Sequence, residues 1–310
     1  MKSFDIETLA DLAKLLLVHP QELADVSFNR GKYYRVQRIP KTNGTFRTLL
    51  VPQDKLKLLQ QKIDRHILRR FALRTCVHDA VTGRSVLTNA KAHVGKDIVF
   101  SIDIKDFFPS VNPTTVRAIF EALGFRGEAA NQLIKATTFD GQLPQGAPSS
   151  SSLANISMTR VDVRLEGLAS KNGFAYTRYI DDLTFSGPNR LKKFRRLIQR
   201  IVEEEGFSVN SDKIVTMHAG MRQVVTKLVV NQKINLAREE REKIRKSALQ
   251  AIDESDSNNP GLNGRIVWLS SVNLQLGSKI QNLISHKDGR LSSRPRSFAS
   301  SAGCITFPHL

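Results

Sequence analysis

The alternation of apolar and polar positions predicts a strand at residues 98–104, IVFSIDI. Phe100, Ile102 and Ile104 fall on one face of such a strand, because successive side chains point to opposite faces. Asp103 falls on the other face. The pattern therefore predicts a strand that presents one carboxylate opposite a row of large apolar side chains.

Two strand-like runs in residues 33–52 flank Asn43 and Gly44, a pair of residues typical of a β-hairpin turn. Arg38 and Arg47 lie on this hairpin, which is interpreted either as a basic flap over phosphates or as a solvated basic edge. Residues 54–71 then have the pattern of an amphipathic helix. Its predicted apolar stripe consists of Leu58, Leu59, Ile63, Ile67 and Leu68.

The stretch GFAYTRYIDDLTFSG predicts a strand, a tight turn and a second strand, with Asp181 and Asp182 at the turn. A helix is predicted before it, continuing through about Leu168, and an amphipathic helix follows at 191–206. From Arg238 onward the pattern is helical again. Because strands and helices follow in mixed order without a βαβ rhythm, we expect an α+β fold with an antiparallel sheet.

Composition narrows the class of partner. The 310 residues include 47 Lys and Arg against 29 Asp and Glu, a formal net charge of +18. This charge favours a polyanionic binding partner. Nucleic acid is favoured over an anionic membrane because no single amphipathic helix concentrates the charge. No run of about 18 uncharged apolar residues occurs, so no membrane span is expected. With no signal peptide pattern and two distant cysteines, Cys76 and Cys304, a cytoplasmic location is expected.

The acidic residues suggest a metal site. Asp103 on one strand and the pair Asp181 and Asp182 on a hairpin can meet on neighbouring strands of one sheet. Three close carboxylates cannot all stay ionised without a cation, and carboxylate oxygens favour Mg²⁺ or Mn²⁺. Two such ions would support in-line phosphoryl transfer. We expect Asp103 and Asp181 to bridge the ions and Asp182 to be secondary; taken alone, the pair would be read as an ordinary turn.

Several motifs, in order, carry a family resemblance. SIDIKDFFPS, LPQGAPSSSSLAN, TRYIDDLTFSG and GFSVNSDKI resemble the palm motifs of reverse transcriptases. Within that superfamily, NAKAHVGKD at 89–97 and VVTKLVV at 224–230 resemble elements of bacterial retron reverse transcriptases. Lys227 stands where the second element usually has Gly.

The resemblance implies roles for individual residues. Asp103, Asp181 and Asp182 would be the catalytic acids, and the Ile104 carbonyl a further metal ligand. The implied nucleotide contacts are Arg47 at the triphosphate, Phe108 as a steric gate against the 2′-hydroxyl, Gln145 at the incoming nucleotide and Lys213 at the leaving pyrophosphate. The implied nucleic-acid contacts are Asn89, His93, Thr226 and Lys227. The alternatives are core packing for Phe108, a surface lysine for Lys213 and a structural histidine for His93.

The resemblance also implies a right-hand polymerase with four parts. These are N-terminal helices and fingers at 1–97, a palm at 98–235, a helical thumb at 236–285 and a basic Ser/Arg-rich tail at 286–310. The implied activity is RNA-directed DNA polymerisation from dNTPs, supported by two Mg²⁺ ions, with Mn²⁺ as a substitute. The implied template is a cognate structured non-coding RNA, primed at a guanosine 2′-hydroxyl to give a branched RNA–DNA product (msDNA).

A role in anti-phage defence with a separate effector protein is also implied. Two alternatives remain open: another bacterial reverse transcriptase of the intron type, and an RNA-binding scaffold or antitoxin with incidental polymerase activity.

Overall fold

A computed structural model of the chain describes residues 3–40, 44, 46–253 and 260–287. The chain divides into two compact units, Met1–Asn235 and Leu236–Leu310. The predicted boundaries of fingers, palm, thumb and tail stay predictions. Most of the predicted tail, residues 288–310, and Asn43 of the predicted hairpin turn lie outside the described residues.

The elements of the chain combine short helices with short strands. The helices are α1 (Leu9–Leu16), α2 (Pro20–Phe28), α3 (Asp54–His66), α4 (Val86–Lys91), α5 (Phe107–Ser110), α6 (Pro113–Ala122), α7 (Gly127–Thr137), α8 (Ser150–Ser157), α9 (Thr159–Lys171), α10 (Arg195–Glu204), α11 (Arg238–Asp253), α12 (Pro260–Val272) and α13 (Leu274–Lys287). The strands are β1 (Tyr34–Pro40), β2 (Phe46–Pro52), β3 (Ile98–Asp103), β4 (Ala175–Tyr179), β5 (Asp182–Gly187), β6 (Val215–His218), β7 (Val224–Val225), β8 (Leu228–Val229) and β9 (Asn235–Leu236).

The central sheet of the first unit has the strand order β4-β5-β3-β6, and each neighbouring pair is antiparallel. One face carries a cross-strand row of aromatic rings: Tyr176 stacks on Phe185, which is the register partner of Phe100. All three are buried. Because these residues alternate with polar ones along each strand, the other face carries hydroxyl and carboxylate groups. The predicted α+β fold with an antiparallel sheet is confirmed.

The helices differ from the prediction in several details. The helix predicted at 54–71 ends at His66, and the one predicted at 191–206 is a 3₁₀ segment, Asn189–Phe194, followed by α10. Leu58 is 59% exposed, whereas Leu56 is fully buried, so the apolar stripe of α3 is rotated toward Leu56. The helix predicted to continue through Leu168 is two helices, α8 and α9, that meet at Met158. Met158 is itself fully buried, so the break lies in the core rather than at the surface.

The hairpin of β1 and β2 is antiparallel over its full length, from Tyr34 opposite Pro52 to Pro40 opposite Phe46. The predicted hairpin is therefore present. A smaller sheet has the strand order β7-β8-β9, and its antiparallel pair β7 and β8 belongs to the first unit.

The second unit consists of α11, α12 and α13, which pack on one another. The buried side chains of its described helices share an apolar character and include Ile244, Ala248, Leu262, Ile266, Leu269 and Ile280. In the part of the chain that the structure describes, no helix combines the length and hydropathy that crossing a bilayer requires.

Candidate active site

The three predicted carboxylates lie at one end of the central sheet. Asp103, the last residue of β3, is the register partner of Asp182, the first residue of β5. The backbone N–H of Ile104 donates a 3.0 Å hydrogen bond to the carbonyl of Asp181. These pairings bring Asp103, Asp181, Asp182 and the backbone of Ile104 together, as the sequence predicted.

Asp181 lies in a strained turn. Tyr179 pairs with Asp182, so Ile180 and Asp181 form a two-residue connection between β4 and β5. Ile180 has φ of +57°, a conformation that is unfavourable for a β-branched residue. Such a backbone persists only where surrounding contacts hold it.

Arg178 supplies one of these contacts, and the sequence analysis did not identify it. Its side chain is fully buried, and its Nη1 donates a 3.1 Å hydrogen bond to the Ile180 carbonyl. The same guanidinium forms an ion pair with Asp162 of α9, with Nη2 to Oδ2 at 2.7 Å, and donates to Asn155 of α8. A signal was present in the sequence: an arginine stands in an apolar strand two residues before the turn.

Lys213 also lies at the carboxylates. It belongs to a short 3₁₀ segment, Ser211–Lys213, and its Nζ lies 3.0 and 2.9 Å from the two carboxylate oxygens of Asp103. The segment is held in place because the N–H of Asn210 donates to the carbonyl of Asp103 at 2.8 Å. In this structure the Lys213 ammonium is thus the cation paired with Asp103.

The remaining predicted nucleotide contacts lie on two neighbouring segments and on α5. The carbonyl of Gln145 accepts a 2.9 Å hydrogen bond from the N–H of Leu50, which joins the LPQG loop to β2. Arg47 is exposed on the same strand. Phe108 is half-buried beside the fully packed ring of Phe107, with ring centroids 5.7 Å apart. Their roles toward a nucleotide stay predictions.

Comparison with known proteins gives the family. Residues 39–251 match the family described as reverse transcriptase (RNA-dependent DNA polymerase). The chain is 30% identical to the retron Ec86 reverse transcriptase of Escherichia coli, over 94% of this chain and 92% of that protein. This chain belongs to the retron-type reverse transcriptases. The predicted resemblance and the predicted right-hand polymerase fold are thereby confirmed.

The chain spans about two thirds of the length of another relative. It is 35% identical to the retron Mx65 reverse transcriptase of Myxococcus xanthus, over 81% of this chain but only 64% of that protein. Among solved structures, telomerase from Candida albicans in complex with a fragment of telomeric RNA aligns with a TM-score of 0.48 and 12% identity. That alignment covers 82% of this chain and 55% of the telomerase chain.

The electrostatics of the carboxylate site disfavour the ionised form of Asp181. Burial raises the pKa of the Asp181 carboxyl to about 6, and the charge of Asp103 adds to the shift. Burial also raises the pKa of Asp182, opposed by hydrogen bonds from Ser101 Oγ at 2.6 Å and Thr184 Oγ1 at 3.3 Å. Asp182 is thus held by hydroxyl groups, while Asp181 is destabilised as an anion.

The site fits a divalent cation by its chemistry. Among the described residues, no group of three or more His, Cys, Asp or Glu side chains is arranged as a ready metal cluster. The donors are nonetheless carboxylate oxygens, which Mg²⁺ and Mn²⁺ prefer. The raised pKa of Asp181 shows that an added positive charge would favour its ionised form.

The predicted RNA contacts of Asn89 and His93 require correction. The His93 side chain is fully buried, with Nδ1 2.7 Å from Ser186 Oγ and Nε2 2.7 Å from Thr177 Oγ1. Burial lowers its pKa to about 3, so the ring is neutral. Asn89 is 1% exposed, and its Nδ2 lies 3.4 Å from Thr226 Oγ1. Both side chains are inside the protein and join structural elements there.

Thr226 and Lys227 form the turn between β7 and β8. Both have positive φ, +44° and +67°, because Val225 pairs with Leu228 across a two-residue connection. The usual Gly at position 227 is explained by this backbone, which favours glycine. Lys227 is exposed. The Thr226 hydroxyl donates a 3.3 Å hydrogen bond to the Val86 carbonyl. The contacts of both residues with nucleic acid stay predictions.

Proposed function

We propose that this chain is an RNA-directed DNA polymerase. The observation that carries the proposal is the meeting of Asp103, Asp181 and Asp182 at one end of the β3–β5 pair. Membership of the reverse transcriptase family supports the same activity.

The reaction is a nucleotidyl transfer. A hydroxyl oxygen of the growing end attacks the α-phosphorus of a dNTP, the bond from that phosphorus to the bridging oxygen breaks, and pyrophosphate leaves. The proton of the hydroxyl passes to solvent. Such transfer needs aligned groups and stabilised oxyanions more than covalent catalysis by the protein.

The chain's own residues hold the reacting groups. Asp103 and Asp181 would hold two Mg²⁺ ions, with the Ile104 carbonyl as a further ligand. Asp182 would be secondary, and its hydrogen bonds from Ser101 and Thr184 support this. Bound divalent ions supply Lewis acidity and neutralise phosphate charge. Lys213 would leave Asp103 to neutralise the pyrophosphate.

On the nucleotide side, Arg47 would bind the triphosphate and Gln145 the incoming nucleotide. Phe108 would exclude a 2′-hydroxyl by its bulk.

The template and product are proposed from the retron relatives. The template would be part of a cognate structured non-coding RNA, primed from a guanosine 2′-hydroxyl, and the product a branched RNA–DNA hybrid, msDNA. We further propose that the enzyme acts in the cytoplasm, in anti-phage defence with a separate effector protein. The names of its relatives as retron reverse transcriptases support the template class.

The test is Asp181→Ala in the full chain. We expect cDNA synthesis on an RNA template to be abolished, while RNA binding stays within about threefold of wild type, since binding relies on basic groups elsewhere. Asp212→Ala is a matched control, because it removes an exposed carboxylate in the segment that carries Lys213. Synthesis retained by Asp181→Ala contradicts the proposal. RNA binding by a wild-type protein without any synthesis favours the scaffold alternative.

A further inference from the structure

A dense group of cations lies between β5 and the middle of α10. Residues 188–202 contain six basic and no acidic residues. We name this group the basic ridge; it consists of Arg190, Lys192, Lys193, Arg195, Arg196 and Arg200. All are exposed except Arg195, which is half-buried. Like charges at this density repel one another, and a solvated surface normally mixes both signs.

The basic ridge has no acidic partners within the part of the chain that the structure describes, since none of its residues forms an ion pair there. The adjacent helix α9 shows the contrast. Its Arg160 and Arg164 pair with Glu204 and Glu205 at the other end of α10. Ion pairs thus neutralise charges at the C-terminal end of α10, whereas the basic ridge, which lies before α10 and extends to its middle, carries only positive charge.

The position of the basic ridge separates it from the candidate active site. The guanidinium of Arg195 lies 5.4 Å from the ring centroid of Phe100. Phe100 points to the sheet face opposite Asp103, because the two are an odd number of positions apart on β3. Arg195 therefore lies against the sheet face opposite the one to which Asp103 points.

The basic ridge is also rigidly mounted. Leu191, Ile198 and Val202 alternate with the cations and are fully buried. Phe194 packs edge-on against Phe174 at 5.2 Å, so the aromatic ring within the ridge is directed into the protein. The backbone that carries the cations is therefore held in place, and such a surface needs little ordering on binding, which favours a rigid polyanion.

We infer that the basic ridge binds the phosphate backbone of a double-helical RNA segment outside the polymerase cleft. The inference rests on the proposed function, which makes RNA the substrate. Single-stranded RNA is usually held by exposed aromatic rings, and the ridge exposes none, whereas helical RNA is recognised largely by its backbone. A membrane is disfavoured because the apolar side of α10 is buried in the core, while interfacial helices bury that side in lipid.

The experiment compares two charge-matched variants of the full chain. The ridge variant is Lys192→Gln/Lys193→Gln/Arg196→Gln, and the control is Lys14→Gln/Lys55→Gln/Lys57→Gln, three exposed lysines on α1 and α3. The probe is a 20-base-pair RNA duplex of arbitrary sequence, with Kd measured between 50 and 300 mM salt. The catalytic readout is extension of oligo(dT) on poly(rA).

We expect the ridge variant to bind the duplex about tenfold more weakly at 100 mM salt, with the salt slope reduced by about 2 to 3. The control should change by less than threefold, and primer extension should be normal in both variants. Equal loss in both variants would overturn the inference, since net charge alone would then explain binding. Loss of primer extension in the ridge variant alone would also overturn it, by placing the ridge on the catalytic path.

Two further results separate the remaining possibilities. If the ridge variant keeps duplex binding but loses binding to phosphatidylserine vesicles, the ligand is a membrane and the inference is wrong. If the wild type fails to extend any primer, the proposed function fails. Even then, the comparison of duplex binding between the two variants decides whether the basic ridge binds double-helical RNA.

Discussion

The guanidinium of Arg178 lies 3.1 Å from the carbonyl oxygen of Ile180, and so joins the core behind the sheet to the turn that carries Asp181. Its ion pair with Asp162 lies in the same buried cluster. The strained backbone of Ile180 is thereby held from within the protein, one residue before the carboxylate. Arg178 is a positioning residue, since it acts on the site through the turn.

Substitutions at Arg178 should separate its contribution to folding stability from its role in positioning the turn that carries Asp181. Arg178→Met leaves the Asp162 carboxylate unpaired and should cost about 3 to 5 kcal/mol of unfolding free energy. Arg178→Met/Asp162→Asn removes that unpaired charge and should recover much of the loss. We expect its kcat to stay at least tenfold low, with KM for dNTP little changed, because the turn remains unsupported. Urea denaturation and steady-state kinetics measure the two effects; wild-type kcat in the double variant would show a purely structural role.

Asp181 should destabilise the metal-free protein at neutral pH. Its pKa is raised to about 6, so the folded state binds this proton more tightly than the unfolded state does. Stability from this group is therefore present at about pH 4 and is lost as pH rises through about 6. Asp181→Asn should raise the unfolding free energy by up to about 3 kcal/mol at pH 7.5 in EDTA.

The comparison at pH 4 is the control for Asp181→Asn, because both forms are then neutral and the difference should nearly vanish. Added Mg²⁺ should stabilise the wild type more than the variant. A variant less stable than wild type at pH 7.5 in EDTA would contradict the prediction.

His93 should contribute to folding stability and not to RNA binding. His93→Ala leaves the buried hydroxyls of Ser186 and Thr177 without their ring partner and should cost about 2 to 4 kcal/mol. RNA affinity, measured well below the melting temperature, should remain within about twofold of wild type. A selective loss of RNA binding with unchanged stability would restore the RNA role.

The wild type should also lose stability as pH falls below about 6.5, because the folded pKa of His93 is lowered to about 3.

Lys227→Gly should stabilise the protein. Lys227 is exposed at φ of +67°, where glycine avoids a cost of about 1 kcal/mol. Thr226→Gly is the matched control at φ of +44°; it should gain nothing, because the hydroxyl contacts with Asn89 and Val86 are lost. Thermal unfolding measures both changes. A simultaneous drop in RNA affinity for Lys227→Gly alone would support the predicted nucleic-acid contact.

Phe108→Ala should relax sugar selection. If Phe108 is the steric gate, removing its half-buried ring opens space for a 2′-hydroxyl, so ribonucleotide incorporation should rise at least tenfold in a competition assay. Phe107→Ala is the paired control: Phe107 is 2% exposed, and its loss should cost about 3 to 5 kcal/mol of stability without changing selectivity. Unaltered selectivity in Phe108→Ala would leave core packing as its role.

The local pattern of the chain determined the framework of the site. Alternation at 98–104 placed Asp103 opposite Phe100, and the short connection before Asp182 predicted a hairpin that returns carboxylates to the same sheet. These inferences succeed because the two-residue period of a strand and the geometry of a tight turn depend on neighbouring residues alone.

The tertiary structure alone decided the partners of the polar side chains. Arg178 of a strand meets Asp162 of the preceding helix, while Lys213 meets Asp103 and His93 lies between Ser186 and Thr177 across long stretches of sequence. Whether a polar group is buried and paired or free to bind a ligand depends on which elements cover it. That is set by the packing of distant segments, which no local periodicity encodes.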